Sequence, residues 1–576
     1  MTAIAFDTET RGLDWFDPDH RAFLASWADA ESEHVADLGD PEEAERFLRA
    51  LKSADRIIAH NLSFDVHHTR EAAGVDIVEL GAELEDTDIM SRVLHPEGQR
   101  KGERGGHGLK SLASTYLGED SQESEDVIDQ LAKEIGYRTV KTTGAYFDVW
   151  RAYPEQLEHY ARQDARATYD LWELFQREMD ADARRCYELE REVMPVLIRA
   201  EQRGVRVDPD VVLRLKAQYE SEAERLHDAL SKTLGEDALN GAGSEAALLE
   251  ALQSIGVPLH RRTPTGQLAT NAYALQEFED DYAELGQLRD YRQAQKFLST
   301  YIAPMEGREV IHPSFIQTGA WTGRMSCRRP NMQNIPVRGG AELRSMFVPR
   351  PGHVFVVCDY ESIEIRLLAW YLADKGYREL IERGLDPHAW MAASIWGGRM
   401  EDYAKGSEGE ARRSAAKNVL FAITYGAGAR RVGDMLKIPP DEAKSLVAKI
   451  KSSLTGYGRL QHRIRSKIER EGYVTTLFGR KQPVRKDKAY VGLNALIQGS
   501  AADIMKQGLV NVDEAVRPLG AAPLLVVHDE VVVEVPEESA EEALALTTAA
   551  MNEACELAPR LETAGSVART SYAEGK

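Results

Sequence analysis

The 576-residue sequence has few cysteines and no long apolar run. The four cysteines are scattered without a CxxC pair, at Cys186, Cys327, Cys358 and Cys555. This argues against a zinc ribbon or a disulfide framework and fits a reducing compartment. No stretch approaches the ~20 apolar residues that span a bilayer, and no basic N-terminal region precedes an apolar run. We therefore expect no membrane anchor, no signal peptide and a cytoplasmic location.

Positive charge is also scarce, since 71 Lys and Arg oppose 94 Asp and Glu, giving a net charge of −23. Nucleic-acid binding is disfavoured by this balance, because phosphate contacts need Lys and Arg. A binding cleft, however, needs only a local excess of positive charge. Arginines are concentrated, with Glu342 as the nearby acid, at Arg324, Arg328, Arg329, Arg338, Arg344 and Arg350. The net charge therefore does not exclude a nucleic-acid cleft.

A glycine-free and proline-free run precedes Gly426 and predicts a helix over residues 412–426 that ends at the glycine. Arg413, Lys417, Phe421 and Tyr425 recur every fourth residue and so form one stripe on a helix face. Two cations followed by two aromatic rings suit a molecule with a polyphosphate and a flat base. On this segment alone, an ordinary amphipathic helix with a basic end fits equally well.

The N-terminal region is predicted to be an α/β domain. Short apolar runs at residues 3–6, 23–28 and 56–59 predict buried strands, and helical segments lie between them. The first run is expected to end just before Asp7 and Glu9, and the third just before a segment that contains Asp65. The pattern indicates a sheet whose strand ends carry polar side chains.

Four acids of this region form a candidate metal site: Asp7 and Glu9 after the first strand, Asp65 after the third, and Asp164 in a predicted helix. Carboxylate oxygens suit Mg²⁺ or Mn²⁺. Two such ions about 4 Å apart can activate a water and stabilise the leaving oxygen in phosphodiester hydrolysis. Tyr160 lies one helical turn before Asp164, where it can orient that water. Any one of these acids alone is more commonly a surface residue.

The middle of the chain predicts two long helices. Asp208 precedes Pro209 as a helix cap, and an apolar helical stripe follows at Val212, Leu215, Tyr219, Ala223, Leu226 and Leu230. A second helical block covers residues 273–301, and a polar segment with Arg261 and Arg262 lies between them. Such a pair can grip a duplex backbone without reading bases. A plain helical hairpin is the alternative.

Two acids near the C-terminal half lie at predicted strand ends. The apolar run 354–358 ends at Asp359, and the run 524–527 leads into His528, Asp529 and Glu530 before a second strand at 531–535. Acids gathered at a hairpin tip repel one another unless something offsets their charge. A pair of Mg²⁺ ions shared by Asp359 and Asp529 would do so.

Together these segments resemble the motifs of family A DNA polymerases. The segments are residues 322–324, 331–336, 359–366, 413–426, 494–503 and 528–530. Asp7-x-Glu9, Asn61-x₃-Asp65 and Tyr160-x₃-Asp164 are similar to the three motifs of proofreading 3′–5′ exonucleases. The resemblance implies a multidomain α/β and α+β chain, with a ribonuclease H-like exonuclease domain followed by a right-hand polymerase. The implied divisions are exonuclease 1–185, thumb 186–305, first palm part 306–370, fingers 371–480 and second palm part 481–576.

The resemblance also implies roles for individual residues. Catalytic and metal-binding roles fall on Asp359, Tyr360, Asp529, Glu530 and Lys417 in the polymerase, and on Asp7, Glu9, Asp65, Asp164 and Tyr160 in the exonuclease. Nucleotide contacts fall on Arg413, Lys417, Phe421, Tyr425, His388 and Glu364, the last as a gate against a 2′-hydroxyl. DNA contacts fall on Arg324, Gln333, Asn334, Asn494, Gln498 and His528. The implied ligands are two Mg²⁺ ions per site, replaceable by Mn²⁺, with primer-template DNA and dNTPs. We expect a monomer that works with other replication proteins.

Three features depart from the family pattern. Glu361 and Ser362 stand where the family commonly has Ser-Gln, so Ser362 is given no role. Tyr490 stands where an Arg is frequent, which puts one DNA contact in doubt. Because Asp7 lies at the very start of the chain, we expect no preceding 5′-nuclease domain. That absence favours a phage or stand-alone replicative enzyme over a bacterial repair polymerase.

Three other functions compete with this interpretation. One is a 3′–5′ exonuclease whose C-terminal region only holds nucleic acid, and another is a non-catalytic replication scaffold. The first is disfavoured because a region that only holds nucleic acid needs no acids at two strand ends beside a helix suited to a triphosphate. The second is disfavoured because both sets of acids are complete. The third is a template-directed RNA polymerase, against which Glu364 argues.

Overall fold

The computed structural model describes residues 2–96, 106–118, 121–239, 244–263, 265–336 and 340–575. Arg338 of the arginine-rich segment lies outside these ranges. The chain forms two compact units, the first made of Met1–Arg203, Ser314–Arg328 and Val356–Val567, and the second of Gly204–Pro313, Arg329–Phe355 and Ala568–Lys576. The predicted domain boundaries at 185, 305, 370 and 480 stay predictions. Among the described residues, no helix combines the length and apolarity that a membrane crossing requires.

Fifteen strands are described within these ranges. In the first half of the chain they are β1 (Ala3–Thr10), β2 (Ala22–Ala28), β3 (Glu33–Asp37), β4 (Arg56–Ala59), β5 (Glu83–Asp86), β6 (Val205–Arg206) and β7 (Val310–Ile311). The remainder are β8 (Ser314–Ile316), β9 (Ser326–Arg328), β10 (His353–Tyr360), β11 (Tyr473–Thr475), β12 (Lys481–Pro483), β13 (Ala522–Val527), β14 (Glu530–Pro536) and β15 (Thr563–Ala568).

Helices make up most of the remaining described structure. Before residue 300 they are α1 (Pro41–Ser53), α2 (Leu62–Ala73), α3 (Thr87–Leu94), α4 (Leu109–Tyr116), α5 (Ser121–Glu134), α6 (Ala145–Ala152), α7 (Pro154–Glu178), α8 (Ala181–Arg203), α9 (Pro209–Leu234), α10 (Ser244–Ser254), α11 (Ala272–Leu275) and α12 (Ala283–Lys296). After it come α13 (Ile363–Leu372), α14 (Lys375–Glu382), α15 (Pro387–Trp396), α16 (Glu410–Thr424), α17 (Ala429–Leu436), α18 (Pro440–Ser453), α19 (Tyr457–Glu471), α20 (Gly492–Val516) and α21 (Ala540–Asn552).

The N-terminal part of the first unit is built on a five-stranded sheet in the order β3-β2-β1-β4-β5. Strands β1 to β3 pair antiparallel, and β4 joins β1 and β5 in parallel. Side chains alternate between the two faces of a strand. Ile4 and Phe6 therefore enter one core with Phe47 of α1, whereas Ala5 packs on the other face with Ala165 of α7.

Two predictions for this sheet need correction. Strand β1 continues to Thr10, so Asp7 and Glu9 are strand residues and do not lie beyond the strand end. The pairing of β1 with β2 extends through both acids, because Asp7 pairs with Ser26 and Glu9 with Leu24. Strand β3 was also missed, and it makes the predicted third strand the fourth in sequence.

A four-stranded sheet in the order β13-β14-β10-β15 carries the second set of acids. Strands β13 and β14 form the predicted hairpin, with Val527 paired to Glu530 and residues 528 and 529 as its two-residue turn. His528 has a φ of 60°, a left-handed conformation that a tight hairpin turn demands of its first residue. Both faces of these strands are largely buried, which agrees with their nearly continuous apolar sequences.

The fingers-like segment of the first unit is helical from α14 to α19. Helix α16 covers the predicted stripe up to Thr424, and Gly426 follows with a φ of 83°. A side chain at this glycine would also collide with Tyr490, whose carbonyl oxygen lies 2.8 Å from the Cβ position. The predicted helix and its glycine stop are confirmed.

The second unit contains the predicted helical pair. Asp208 caps α9 by accepting hydrogen bonds from the backbone N–H groups of Asp210 and Val211. All six predicted stripe residues of α9 are buried. The second block is divided into α11, α12 and a π-helical turn at Phe297–Ile302. Helix α10, which the sequence analysis did not predict, lies in the polar segment between the two helical blocks.

Candidate active sites

The exonuclease-like acids meet because of strand alternation and helix packing. Ala5, Asp7 and Glu9 share one face of β1, and this face is covered by α7, where Ala165 and Tyr169 pack with Ala5. The hydroxyl of Ser26 on the neighbouring strand donates to the carbonyl of Ala161 at 2.8 Å and so ties α7 to the sheet. Asp164 of α7 is thereby brought to the two acids of β1.

Asp7, Glu9 and Asp164 form an acid group that could hold a metal ion, with one carboxylate oxygen from each within 4.8 Å of the others. Burial, reinforced by the charge of Asp164, raises the pKa of Asp7 to about 7. Burial and then Asp7 raise the pKa of Glu9 well above its usual range. Buried carboxylates this close repel one another, and a divalent cation is the ligand that such a donor set fits.

Asp65 lies outside that group, although it was predicted as a fourth ligand. Its Oδ1 accepts hydrogen bonds from the backbone N–H and the hydroxyl of Thr8, at 2.9 and 2.7 Å. The side chain is buried, and burial together with the charge of Asp7 raises its pKa. The structure thus gathers three of the four predicted acids and places Asp65 next to them, held by Thr8.

The sequence analysis missed Lys110, the lysine of α4. Its ammonium forms an ion pair with Asp164 and lies 3.9 Å from the ring centroid of Tyr160. Tyr160, one turn before Asp164, is buried, and burial raises its pKa well above the usual range. Nothing in the local sequence around Lys110 marks it, because its partners lie fifty residues further along the chain.

The polymerase-like acids meet at adjacent strand ends. The backbone N–H of Tyr360, the last residue of β10, donates to the carbonyl oxygen of Asp529 at 3.1 Å. Asp359 precedes Tyr360, and Glu530 begins β14 with its side chain buried. The hydroxyl of Tyr360 donates to the carbonyl of Met551 at 2.8 Å, which anchors this strand end. Asp359 and Asp529 thus offer two carboxylates at one edge of the sheet, a donor set that suits Mg²⁺.

The stripe on α16 is held by its neighbours. Arg413 forms an ion pair with Asp386, which also caps α15 by accepting hydrogen bonds from the backbone N–H of His388 and Ala389. The predicted phosphate ligand Arg413 is therefore paired with an acid in this structure. Lys417 is exposed, and its ammonium lies 6.0 Å from the centroid of the Phe421 ring.

His388 joins this stripe from α15. Its ring centroid lies 6.0 Å from that of Phe421. Burial lowers the pKa of His388 to about 4, and the cations Lys417 and Arg413 act in the same direction. The imidazole is therefore neutral at pH 7 and can donate one hydrogen bond without adding charge.

Glu364 links two predicted contact residues. The hydroxyl of Tyr425 donates to Glu364 Oε2 at 2.5 Å, and Arg324 Nη2 donates to Oε1 at 3.0 Å. The side chain of Gln498 also hydrogen-bonds Tyr425. Asn494, one turn earlier on α20, has a buried Oδ1 with no hydrogen-bond partner among the described residues. Four predicted contact residues are thus joined through hydrogen bonds: Arg324, Glu364, Tyr425 and Gln498.

A buried ion network supports the loop that carries Arg324. Arg480 pairs with Glu190 and with Asp503, whose Oδ1 lies 2.7 Å from Arg480 Nε. Lys506 also pairs with Glu190. Gly323, with a φ of 80°, lies so close to Arg480 that a Cβ there would be 2.6 Å from Nε. This network was not anticipated from the sequence.

The remaining predicted DNA contacts are placed separately. Gln333 and Asn334 belong to the second unit, where the hydroxyl of Tyr301 donates to the carbonyl of Asn334 at 2.7 Å. Gln333 is nearly buried, and its backbone N–H donates to Asn331 Oδ1 at 3.1 Å. His528 is exposed in the hairpin turn beside Asp529.

Comparison with known families bears on both sites. Residues 209–573 match the model of DNA polymerase family A, a region that contains both acid-bearing strand ends and α16. The chain belongs to the family A DNA polymerases. Residues 1–180 of the polymerase match the model of the 3′–5′ exonuclease, which covers Asp7, Glu9, Asp65 and Asp164. Members of these families generally use divalent metal ions.

The chain has relatives among bacterial proteins named DNA polymerase I. It is 30% identical to that of Rhizobium leguminosarum, in an alignment that covers 96% of this chain and 56% of the relative. It is 29% identical to that of Pseudomonas aeruginosa, covering 94% and 60%, and 33% identical to that of Chloroflexus aurantiacus, covering 85% and 51%. The chain thus spans about half the length of these relatives.

A solved structure shares the fold of the polymerase. It is the POL domain of Pol1 from M. smegmatis in complex with DNA primer-template and dNTP, with a TM-score of 0.81 and 24% identity. The match covers 100% of this chain and 96% of that one. The predicted fold class, an exonuclease domain followed by a right-hand polymerase, is confirmed.

Proposed function

We propose that this chain extends a primer 3′ end with dNTPs under the direction of a DNA template, and that it removes nucleotides from 3′ ends by 3′–5′ hydrolysis. The observation that carries the proposal is the hydrogen bond between Tyr360 and Asp529, which brings Asp359 and Asp529 to adjacent strand ends. The family membership of residues 209–573 supports it.

The polymerase site is proposed to hold two Mg²⁺ ions, or Mn²⁺ in their place, through Asp359 and Asp529, with Tyr360 and Glu530 beside them. Bound divalent ions would increase the acidity of the nucleophile, which is the primer 3′-hydroxyl here and a water in the exonuclease site, and would stabilise the charge on the leaving oxygen in both. The protein's own residues align the reactants, which is most of what phosphoryl transfer asks of a protein.

Helix α16 and its neighbours are proposed to bind the incoming nucleotide. Arg413 and Lys417 contact the triphosphate, and Arg413 exchanges its ion pair with Asp386 for phosphate oxygens. Neutral His388 donates a hydrogen bond to a phosphate oxygen. Phe421 stacks beside the base. Apart from His388 on α15, each contact uses a side chain of the stripe on α16 that the sequence predicts.

Sugar selection is proposed to rest on Glu364. Its carboxylate is held by Arg324 on one oxygen and by Tyr425 on the other. A side chain fixed at two points cannot move aside cheaply, so a 2′-hydroxyl meets a rigid obstacle. The fixed carboxylate therefore supports a preference for dNTPs over rNTPs as substrates. Asn494, Gln498, Gln333, Asn334 and His528 are proposed to contact DNA.

The exonuclease site is proposed to bind its ions through Asp7, Glu9 and Asp164, with Asp65 adjacent. The raised pKa values of Asp7, Glu9 and Asp65 support this, since buried acids whose pKa values are raised are characteristic of functional sites. Tyr160 holds the attacking water through its hydroxyl. We also propose that the chain works as a monomer in the cytoplasm, together with other replication proteins.

The test is a primer-extension assay on a recessed duplex with Mg²⁺. With all four dNTPs we expect full-length extension, and without dNTPs we expect shortening of the labelled 3′ end. Shortening without extension would favour the alternative function, an exonuclease whose C-terminal region only holds nucleic acid. Extension supported equally by rNTPs would favour an RNA polymerase.

A further inference from the structure

Lys110 lies beside the exonuclease acids, in contact with Asp164, although no motif assigns it a role. It lies at the second position of α4, and its side chain is only 13% exposed. Its ammonium pairs with Asp164 Oδ1 and also lies over the Tyr160 ring, 3.9 Å from the centroid. A lysine this deeply placed is unusual unless its charge is needed there.

The charges around Lys110 explain why it is tolerated. Asp7, Glu9 and Asp164 place three carboxylates within 4.8 Å of one another in a buried site. Lys110 opposes the effect of burial on all three, because its charge lowers their pKa values. It thus acts electrostatically on the same oxygens that a divalent ion would use.

We propose that Lys110 is a built-in counter-cation of the exonuclease site: it occupies Asp164 Oδ1 while no divalent ion is bound, and it competes with the metal for that oxygen. Lys110 is then a positioning residue that sets the metal affinity of the site. The inference rests on the proposed function only in taking these acids as metal ligands.

Two features of the site suit such an exchange. The lysine side chain has a flexible four-carbon stem, so its ammonium can leave Asp164 without movement of the helix. The face of the Tyr160 ring, already in contact, offers a cation–π position to which the ammonium can retreat. An arginine would reach the same oxygen, with a charge that is never lost.

The test measures Mn²⁺ binding to the full chain by electron paramagnetic resonance at pH 8. An Asp359→Ala, Asp529→Ala background removes the polymerase-site signal. In that background, Lys110→Met is expected to bind Mn²⁺ at least about tenfold more tightly, since a competing charge at contact distance is gone. Lys110→Arg is expected to bind as the parent does. The matched control is Lys133→Met, an exposed lysine paired with Asp129 away from the site.

A double-mutant cycle shows whether Lys110 acts through Asp164. In an Asp164→Asn background, the effect of Lys110→Met on Mn²⁺ affinity is expected to shrink to less than about threefold, because the contested oxygen has lost its charge. Lys110→Met with Asp359 and Asp529 intact should still extend primers, which shows that the variant is folded. If Lys110→Met in the double-alanine background then binds Mn²⁺ as its parent does, or more weakly, the inference is overturned.

The outcomes separate this inference from the proposed function. If the parent chain fails to shorten 3′ ends while Lys110→Met binds Mn²⁺ more tightly, the proposed exonuclease activity is wrong and the counter-cation stands. If the parent shortens 3′ ends and Lys110→Met leaves Mn²⁺ affinity unchanged, the activity stands and the counter-cation is wrong.

Discussion

The backbone N–H of Tyr360 donates a hydrogen bond to the carbonyl oxygen of Asp529, 3.1 Å away. This bond lies where β10 ends beside the turn between β13 and β14, and β14 and β10 are already neighbours in the sheet although they lie about 170 residues apart in sequence. It places the residue before Tyr360, Asp359, at the same sheet edge as Asp529. A metal pair shared by the two acids requires this adjacency.

Alanine substitutions at the two acid clusters should separate the two activities. Asp529→Ala is expected to abolish primer extension and to leave the shortening of single-stranded 3′ ends intact, because it removes only a polymerase-site carboxylate. Asp7→Ala with Glu9→Ala is expected to do the reverse. Gel assays of both activities on each variant check this. Retained extension in the first variant, or undiminished hydrolysis in the second, would contradict the assignment.

Replacing Phe421 should change the use of dideoxynucleotides. A dideoxynucleotide lacks the 3′-hydroxyl, and a tyrosine at position 421 can supply a hydroxyl in its place. We expect poor dideoxynucleotide incorporation by the parent and an improvement of at least about tenfold in Phe421→Tyr, the worth of roughly one hydrogen bond. The measurement is the ratio of dideoxy- to deoxynucleotide incorporation. Phe421→Leu, which brings no hydroxyl, should leave that ratio unchanged.

Removal of the Glu364 carboxylate should weaken discrimination against ribonucleotides. Glu364→Ala takes away the obstacle held by Arg324 and Tyr425, so the preference for dNTP over rNTP is expected to fall by about 10- to 100-fold. The ratio of kcat/KM values for the two substrates isolates this effect from any general loss of activity. The neighbouring exposed acid provides the control, as Glu361→Ala should keep the parent preference. An unchanged ratio in Glu364→Ala would show that Glu364 does not exclude ribonucleotides.

Metal binding at the exonuclease site should depend on pH in a defined direction. Burial first, and Asp164 second, raise the pKa of Asp7 from 3.8 to about 7, so below pH 7 this carboxyl is mostly protonated. A proton must leave before the metal binds, and Mn²⁺ affinity should fall about tenfold per pH unit below 7 if one proton competes. Measuring the Mn²⁺ affinity of the Asp529→Ala variant from pH 5.5 to 8.5 tests this dependence. A flat profile across pH 7 would show that the acids are already ionised.

Loss of Arg480 should destabilise the chain strongly. The side chain is fully enclosed between Glu190 and Asp503, and Arg480→Leu would leave both carboxylates without that partner. Breaking one side of a buried pair costs about 3–5 kcal/mol, so thermal unfolding should begin at a clearly lower temperature. Arg485→Leu is the matched control, because Arg485 forms an exposed pair with Asp487 that contributes little. Equal melting curves for the two variants would refute a stabilising role for the network.

Much of this architecture follows from local patterns in the sequence. The stripe from Val212 to Leu230 predicts the buried face of α9, and Asp208 predicts its cap, because a helix repeats every 3.6 residues and exposes free N–H groups at its start. The hairpin of β13 and β14 follows from two apolar runs around a polar pair. Motif spacing likewise predicts the acids of both sites.

Other features depend on contacts that no local pattern encodes. The extension of β1 through Glu9 depends on pairing with β2, which offsets the cost of placing acids in a strand. Asp65 accepts a hydrogen bond from Thr8, and Arg413 forms an ion pair with Asp386. Both contacts depend on which side chains the folded backbone brings close together. Hydrogen bonds and ion pairs of this kind form at short range in space, whatever the separation in sequence.

The sequence by itself therefore determined the helix that ends before Gly426, the buried face of α9, the β13–β14 hairpin and which acids, cations and rings are available for chemistry, since these follow from periodicity and residue type. Only the tertiary structure decided that Lys110 meets Asp164, that Glu190 and Arg480 join α8 to the β11–β12 turn, and that Tyr360 meets Asp529. The physical reason is that charges and hydrogen-bonding groups act on whatever lies within a few ångströms. Chain folding alone sets which groups those are.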